Sequence, residues 1–297
     1  MGKTGDLETS GLMTVSPVRT GLIAAVTMVA FAFNSVIARA ALGQDLIDPA
    51  SYTTIRMGSG ALVLFAIVAL ARKERAREKA GSWYSGFLLF TYAIFLSFAY
   101  VGIDTGIGAL VLFAGVQATM IGFGLYAGER PSAIAWIGNA IAIAGFVYLV
   151  SPGLSAPDPV AAILMFISGV AWGLYSVRGR GAADPVGATA KNFVYCAPMT
   201  LIPLVLFIGS IDINPWGALL AALSGAVTSA LGYILWYEAL KGLTSTKAAV
   251  LQLTAPLIAS FFGVILLSEP ATLRLWLSAV LITGGVAMAV LARSRTA

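Results

Sequence analysis

The chain has 297 residues, of which 59% are apolar and only 10% are charged, and its formal net charge is +5. Soluble domains carry roughly a quarter of their residues as Asp, Glu, Lys and Arg, so most of this surface must face lipid rather than water. The absence of histidine excludes zinc peptidase motifs, Ser–His–Asp triads and histidine proton relays, and a single cysteine excludes a disulfide framework. We therefore expect no metal and no cofactor.

Ten apolar segments of the length needed to cross a bilayer follow one another along the chain. A hydrocarbon core of about 30 Å requires roughly 20 apolar residues in a helix. The segments run over about 20–40, 50–71, 83–101, 105–128, 131–150, 158–177, 188–209, 215–237, 244–267 and 272–292. Short turns separate them, so the sequence predicts an all-α membrane protein with ten transmembrane helices.

The positions of Lys and Arg predict the orientation of these helices. Of the 18 Lys and Arg residues, all but three lie in segments that are cytoplasmic if the N-terminus is cytoplasmic. The exceptions are Arg39 and Arg274 near the outer face and Arg56 within the second helix. Because cytoplasmic loops carry the excess of positive charge in membrane proteins, both termini are predicted to face the cytoplasm.

An internal repeat divides the chain into two halves. A shift of 140 residues places Ala99, Gly102, Ala109, Glu129, Trp136 and Gly145 on Ala239, Gly242, Ala249, Glu269, Trp276 and Gly285. The predicted parts are a cytoplasmic tail (1–19), a first five-helix repeat (20–150), an outer linker (151–157), a second five-helix repeat (158–292) and a cytoplasmic tail (293–297). Because five is odd, the halves form an inverted pair, as in secondary transporters. A scaffold or channel made by the same duplication is the alternative.

Several short motifs resemble one known family. They are residues 33–39 (FNSVIAR), 54–56 (TIR), 171–175 (AWGLY) with Arg178, Pro256 with 268–270 (SEP), and 108–113 (GALVLF) with 116–117 (VQ) and 128–130 (GER). Together they resemble the EamA branch of the drug/metabolite transporter superfamily, over about residues 20–292. The sequence is similar to the YddG-type amino-acid exporters, and this resemblance implies a bacterial inner-membrane carrier for amino acids or related metabolites. Other members of the superfamily carry sugars, nucleotide sugars and drugs, so the fold alone does not define the substrate.

Three side-chain amides lie well inside predicted helices and are candidates for substrate contact. They are Asn34, Gln117 and Gln252, in the first, fourth and ninth helices. An amide offers donors and an acceptor, so it can meet both ends of an amino acid, whereas a fixed charge is costly in an empty membrane cavity. Hydrogen bonding between helices is the alternative role.

Aromatic side chains form a second group of candidates for the substrate cavity. Trp172 and Tyr175 are three residues apart on the sixth helix, Tyr92 lies in the third helix, and Trp236 lies in the eighth. Side chains at such spacing share a helix face and can line a cavity for a bulky substrate. The alternative is an interfacial belt, where Trp and Tyr also collect.

The charged residues in or near the helices are interpreted mainly as structural or gating groups. Arg39 and Arg178 lie at helix ends, where long side chains reach water. Arg56 is expected to snorkel toward the outer face, with capture of a substrate carboxylate as the alternative. Glu129 and Glu269 occupy equivalent turns on opposite faces, which favours symmetric gating or capping over proton coupling.

Prolines predict breaks in two of the helices. Pro198 and Pro203 in the seventh helix and Pro256 in the ninth remove backbone hydrogen bonds, so kinks are expected there. Gln252 and Pro256 are four residues apart and are predicted to share a face. Freed carbonyls must face protein or a wet cavity, so the ninth helix is the best single indicator of the cavity.

These features predict a secondary transporter that exports or exchanges amino acids or related small metabolites across the bacterial cytoplasmic membrane. Alternating access around a central cavity is the predicted mechanism; a passive channel, or a drug or sugar carrier on the same fold, is the alternative. An enzyme is not expected, because catalytic motifs and intramembrane carboxylate pairs are missing. The expected partners are a small-molecule substrate and the lipid bilayer, without nucleic acid, and the expected functional unit is a monomer.

Overall fold

The computed structural model describes residues 17–70, 81–126, 128, 130–153, 156–179, 184–240 and 251–293, and their regular structure is helical. The helices are α1 (Pro17–Leu42), α2 (Pro49–Leu70), α3 (Trp83–Gly102), α4 (Thr105–Tyr126), α5 (Ala133–Val150), α6 (Pro159–Gly179), α7 (Pro185–Met199), α8 (Leu201–Leu206), α9 (Pro215–Leu223), α10 (Gly232–Leu240), α11 (Thr254–Leu267) and α12 (Leu273–Arg293). A π-helical segment, Ser224–Leu231, joins α9 to α10, and a 3₁₀ turn, Ile208–Ser210, follows α8.

Side-chain caps define where several helices begin. Ser82, Ser132, Asp184 and Asn214 precede α3, α5, α7 and α9, and each side-chain oxygen accepts an N–H of the first turn. Such a cap satisfies a donor that has no partner inside the helix. Proline opens α7 and α9, where its missing N–H breaks no helical hydrogen bond.

The outer surface of the helices is apolar. Among the described residues, nine helices are long and apolar enough to cross a membrane by length and composition. On α2, for example, Leu62, Phe65 and Leu70 are 72%, 67% and 82% exposed, and a continuous surface of this kind faces lipid. The chain is therefore a multi-pass membrane protein. The predicted ninth span, 244–267, is described only from residue 251, and its apolar helix α11 has 14 residues.

The breaks predicted from proline occur in the seventh and ninth spans. Thr200 separates α7 from α8 between Pro198 and Pro203, and its hydroxyl donates 2.7 Å to a carbonyl of the preceding turn. Leu253 forms a turn ahead of α11, which places Pro256 in the first turn of that helix. In the first turn the missing proline N–H removes no interior hydrogen bond.

Contacts between loops sort the helix ends into two faces. On one face the α1–α2 loop meets the segment before α9, where the Asp48 N–H donates to the Asp212 carbonyl at 2.9 Å. On the opposite face Arg19 at the start of α1 lies 3.7 Å from Glu238 in the last turn of α10. If each span crosses the bilayer once, every described contact between loops or helix ends joins two elements on the same face. We call the first face the outer face, following the distribution of Lys and Arg.

Glycines allow the closest helix–helix approaches. A Cβ added to Gly138 of α5 would lie 2.5 Å from the carbonyl oxygen of Gly285 on α12, and the reverse substitution would meet the Gly138 oxygen at the same distance. A Cβ on Gly115 of α4 would lie 2.5 Å from the carbonyl oxygen of Phe166 on α6. Small residues at such contacts are the usual way in which membrane helices pack.

Candidate functional site

A group of hydrogen-bonded polar side chains lies between α1, α3 and the π-helical segment. Asn34 is its centre and is only 8% exposed. Its Nδ2 donates to the Tyr92 hydroxyl at 3.2 Å, and its Oδ1 accepts from Ser224 at 2.7 Å and from Thr228 at 3.3 Å. At a rise of 1.5 Å per residue, Asn34 lies about 12 Å from the end of α1 and Tyr92 about 14 Å from the start of α3. The group is therefore near the middle of α3 and in the outer half of α1, well inside both spans.

Arg56 of α2 belongs to the same group and is 0% exposed. Its Nη2 donates to the Tyr92 hydroxyl at 3.1 Å and its Nε to the Ser229 hydroxyl at 3.4 Å. The guanidinium carbon also lies 5.3 Å from the centre of the Tyr92 ring, within the range of a cation–π contact. The expectation that Arg56 snorkels is wrong, because its head group turns inward to Tyr92 and Ser229 instead of outward to water. We call Asn34, Arg56, Tyr92, Ser224, Thr228 and Ser229 the central cluster.

Four aromatic rings, one of which is Tyr92 of the central cluster, pack together around Trp172. The Trp172 ring of α6 lies 4.8 Å from Tyr92, 5.5 Å from Tyr175 and 5.2 Å from Tyr233, measured between ring centres. The Tyr175 hydroxyl accepts from the Asn192 amide at 3.3 Å. We call Tyr92, Trp172, Tyr175 and Tyr233 the aromatic wall. It gives the central cluster an apolar side, and the hydroxyls of Tyr92 and Tyr175 are hydrogen-bonded. Aromatic walls with a few polar groups are the usual composition of a small-molecule site.

The π-helical segment positions the hydroxyl side chains of the central cluster. Its wider turn presents Ser224, Thr228 and Ser229 to α1 and α2. Gly225 permits this approach, because a Cβ there would collide with the carbonyl oxygen of Arg56. π-helical turns inside α-helices are frequent at functional sites, and this one supplies three of the six side chains in the central cluster.

A second group of charged side chains holds helix ends together at the outer face. Arg39 donates from Nη1 to the carbonyl oxygens of Tyr100 and Val101, both at 2.9 Å. Its Nη2 lies 3.3 Å from Asp104 and its Nε lies 3.5 Å from Glu269. The end of α1 is thus tied to the α3–α4 turn and to the α11–α12 turn. We call Arg39, Asp104, Thr105 and Glu269 the outer cluster.

Glu269 links two of these elements directly. Its Oε1 accepts from both the backbone N–H and the hydroxyl of Thr105 at 2.8 Å, so the carboxylate caps the first turn of α4. Ser268, at φ +56°, ends α11 in the left-handed conformation and turns the chain toward this contact. Burial raises the pKa of the Glu269 carboxyl and is the largest influence, whereas the hydrogen bonds from Thr105 lower it.

The remaining predicted site residues are not part of the central cluster. Trp236 is half-buried and its ring lies 6.1 Å from that of Phe31, which in turn lies 5.9 Å from Tyr233. Gln117 and Gln252 are half-buried, and within the described parts of the chain no hydrogen bond joins either of them to the central cluster.

The predicted gating residues are placed in different surroundings. The turn at Leu253 separates Gln252 from Pro256, so the single helix face predicted to carry both is interrupted. Arg178 is exposed and its guanidinium carbon lies 4.7 Å above the Tyr84 ring. Glu129 lies outside the described residues.

Sequence reasoning missed the hydroxyl side chains of the π-helical segment. Ser224, Thr228 and Ser229 are small polar residues spaced four and five apart inside an apolar span. The four-residue spacing places Ser224 and Thr228 on one α-helical face, and it was the signal available. Ser229, five residues from Ser224, joins that face only in a π-helical turn. Serine and threonine are common in membrane helices, where they also bond to their own backbone, so the pattern is weak without the position of Asn34.

The chain is similar to a family of transporters and to several proteins named as transporters. Residues 159–291 match the model of the EamA-like transporter family. An uncharacterized protein of Pseudomonas aeruginosa is 42% identical over 270 residues, which cover 91% of this chain and 94% of that protein. An uncharacterized transporter of Archaeoglobus fulgidus is 25% identical over 77% of this chain and 83% of its own length.

Two further similarities extend the comparison. The uncharacterized inner membrane transporter YedA of Escherichia coli is 28% identical over 54% of this chain and 50% of its own length. A protein of known crystal structure has a TM-score of 0.67 at 20% identity, with 92% of this chain and 98% of that chain covered. At that identity the structural similarity shows a shared fold and nothing about substrate.

Proposed function

Since this chain belongs to the EamA family of the drug/metabolite transporter superfamily, we propose that it is a secondary transporter that exports or exchanges amino acids or related small metabolites. It works by alternating access across the bacterial cytoplasmic membrane. The central cluster and the aromatic wall form its substrate site. The observation that carries this proposal is a polar and aromatic site buried well inside the spans of a multi-pass membrane protein.

Both halves of the chain contribute to the proposed site. Asn34, Arg56 and Tyr92 come from the first predicted repeat, whereas Trp172 and Ser224 come from the second. Contacts across the boundary include the Asn34–Ser224 hydrogen bond and the Tyr92–Trp172 ring contact. A site built from two halves changes its exposure when the halves move against each other, which is what alternating access requires.

The pattern of helix neighbours supports two equivalent halves. The contact of α4 with α6 joins the fourth span of the first half to the first span of the second half, and the contact of α11 with α1 is the same contact with the halves exchanged. In the same way, the contact of α3 with α7 corresponds to the contact of the π-helical segment with α2. The α2–α7 contact joins the second spans of the two halves and the α5–α12 contact joins their fifth spans, so both contacts stay the same when the halves are exchanged. Exchanging the first five spans for the second five therefore turns these contacts into one another, as a pseudo-two-fold axis in the membrane plane would.

The outer cluster is the proposed gate on the outer side. Arg39 and Glu269 join three outer elements, so the substrate can leave outward only after these contacts separate. Glu129 and Arg178 occupy corresponding sequence positions in the other half and are proposed to act at the inner face. Closing the outer face and closing the inner face would then use equivalent residues from the two repeats.

Transport by purified protein in proteoliposomes tests the proposed function. A panel of radiolabelled amino acids and related metabolites is offered with and without a proton gradient. A carrier gives saturable uptake and counterflow, in which unlabelled substrate inside drives accumulation of labelled substrate. Flux that rises linearly with concentration and shows no counterflow would instead identify a passive channel. Dependence on the gradient separates proton coupling from exchange or facilitated diffusion.

A further inference from the structure

Arg56 carries a positive charge in the middle of the protein, and the described residues supply no negative charge to balance it. The described ion pairs involve Arg19 and Arg39 but not Arg56. Its hydrogen-bond acceptors among the described residues, the hydroxyls of Tyr92 and Ser229, are uncharged groups. Its third nitrogen, Nη1, is buried and has no hydrogen-bond partner in the described part of the chain.

Arg56 thus lacks both a negatively charged partner and an acceptor for Nη1 among the described residues. Arginine stays protonated in proteins, so it does not escape the cost of burial by losing its proton. Buried charges are normally paired, and buried donors are normally hydrogen-bonded. The N–H groups of Nη1 therefore remain available for an acceptor that is not part of the described chain, and the preferred acceptor of a guanidinium is a carboxylate or phosphate oxygen.

The acidic residues of the described chain lie away from this site. Each Asp and Glu in the described ranges is in a loop, at a helix start or in the last turn of a helix. The outer cluster uses Asp104 and Glu269, and Glu238 pairs with Arg19 at the opposite face. Among the described residues no ion pair joins a carboxylate to Arg56, so a bound substrate can bring the balancing charge.

We propose that Arg56 binds the carboxylate of a substrate that carries a net charge of −1, with the apolar or aromatic body of that substrate against Trp172 and Tyr233. The inference rests on the proposed function, because it assigns the charge of the molecule that occupies the proposed site. It narrows the substrate class from amino acids and related metabolites to small monocarboxylates.

Charge balance separates this class from its neighbours. One carboxylate neutralises the single charge of Arg56, so the occupied site carries no net charge across the apolar interior. A zwitterionic amino acid would leave a net positive charge and would bring an ammonium group that finds no described carboxylate. A phosphate monoester, with about two negative charges at pH 7, would leave a net negative charge. Desolvation disfavours both unbalanced complexes.

Arg56 also has a structural role that the test must separate from substrate binding. It ties α2 to α3 through Tyr92 and to the π-helical segment through Ser229. Loss of those ties would lower the stability of the protein and weaken the binding of every substrate to the same extent. Only a role in binding would change the preference between molecules that differ in charge and share one body.

Three probes of one shape provide that comparison: 3-phenylpropanoate (anion), phenylalanine (zwitterion) and phenethylamine (cation). Binding is measured at pH 7 on the purified, detergent-solubilised full chain by thermal stabilisation over a concentration series, because weak acids cross bilayers unaided. The wild type is expected to bind 3-phenylpropanoate in preference to the other two probes. In Arg56→Gln the binding of 3-phenylpropanoate should weaken by about 10- to 100-fold, the effect of losing one charged hydrogen-bonding partner, and the preference should disappear.

Two further variants keep the test decisive if Arg56→Gln does not fold. Arg56→Lys keeps the charge and should keep the preference for the anion. Ser59→Ala, outside the central cluster, removes a hydroxyl that donates from α2 to the carbonyl oxygen of Ala222 and should lower stability without changing the order of the three probes. The proposal is overturned if the wild type binds phenylalanine as tightly as 3-phenylpropanoate, if none of the probes stabilises it, or if Arg56→Gln keeps the preference. Saturable counterflow of an amino acid in the same preparation would leave the transport function standing while the anion proposal fails.

Discussion

Replacing Glu269 with alanine should destabilise the closed outer face. The substitution removes the acceptor of the Thr105 N–H and hydroxyl, both bonded at 2.8 Å, and Thr105 is 0% exposed. A buried donor left without a partner costs about 1–3 kcal/mol, so two such donors cost about 2–6 kcal/mol. Arg39 loses one carboxylate but keeps two carbonyl acceptors and Asp104, so its contribution to the change is small.

Thermal and denaturant unfolding of the purified protein in detergent measures this loss. The matched control is Glu269→Gln, whose amide oxygen can still accept from Thr105 and which should lose much less stability than the alanine variant. Proteoliposome counterflow on both variants shows whether a weakened outer face changes transport. Equal stability of Glu269→Ala and Glu269→Gln would refute the reasoning, because the difference between them comes from the Thr105 donors.

Three other predictions concern packing, pH and the proposed cavity. Gly285→Ala should destabilise the folded protein by about 1–3 kcal/mol through overpacking against Gly138. The control Gly284→Ala, with nothing within 4 Å of its added Cβ, should be neutral or slightly stabilising. Equal melting temperatures of the two variants would contradict this prediction. Because burial raises the pKa of Glu269 in the folded protein above the ordinary value of 4.5, the folded state holds a proton that the unfolded chain releases. The wild type should therefore gain stability relative to Glu269→Gln as the pH falls from neutral toward 4.5, and parallel pH curves for the two proteins would exclude this linkage. Asn34→Ala should reduce flux without reducing expression, because Asn34 is the centre of the proposed site, and unchanged flux would remove Asn34 from the site.

The sequence predicted the helices well because apolar length is a strong signal. Hydrophobic segments of about 20 residues have few alternatives to a membrane span, and the helix starts at Trp83, Thr105 and Pro215 fall where the segments begin. Proline marked the break at Thr200 for a similarly direct reason, the loss of a backbone donor. The π-helical segment left no comparable mark, since its width depends on how α2 and α1 pack against it.

The candidate site was predicted only in part. Asn34 and Trp172 were identified from their chemistry and depth, and the structure brings both to Tyr92. The direction taken by Arg56 was not predictable from its position near a span end, because long side chains reach water or protein equally well. Only the location of Tyr92 and Ser229 decides between them, and that is a property of the packed helices.

Counterflow by the Trp172→Ala variant tests most directly whether the central cluster and aromatic wall hold the substrate. Trp172 contacts three other rings of the aromatic wall, whereas Trp136 on α5 is 49% exposed and provides a matched tryptophan removal away from the site. With equal amounts of folded protein in proteoliposomes, Trp172→Ala should lose saturable counterflow and Trp136→Ala should retain it. Equal counterflow by the two variants would contradict the proposed location of the substrate site.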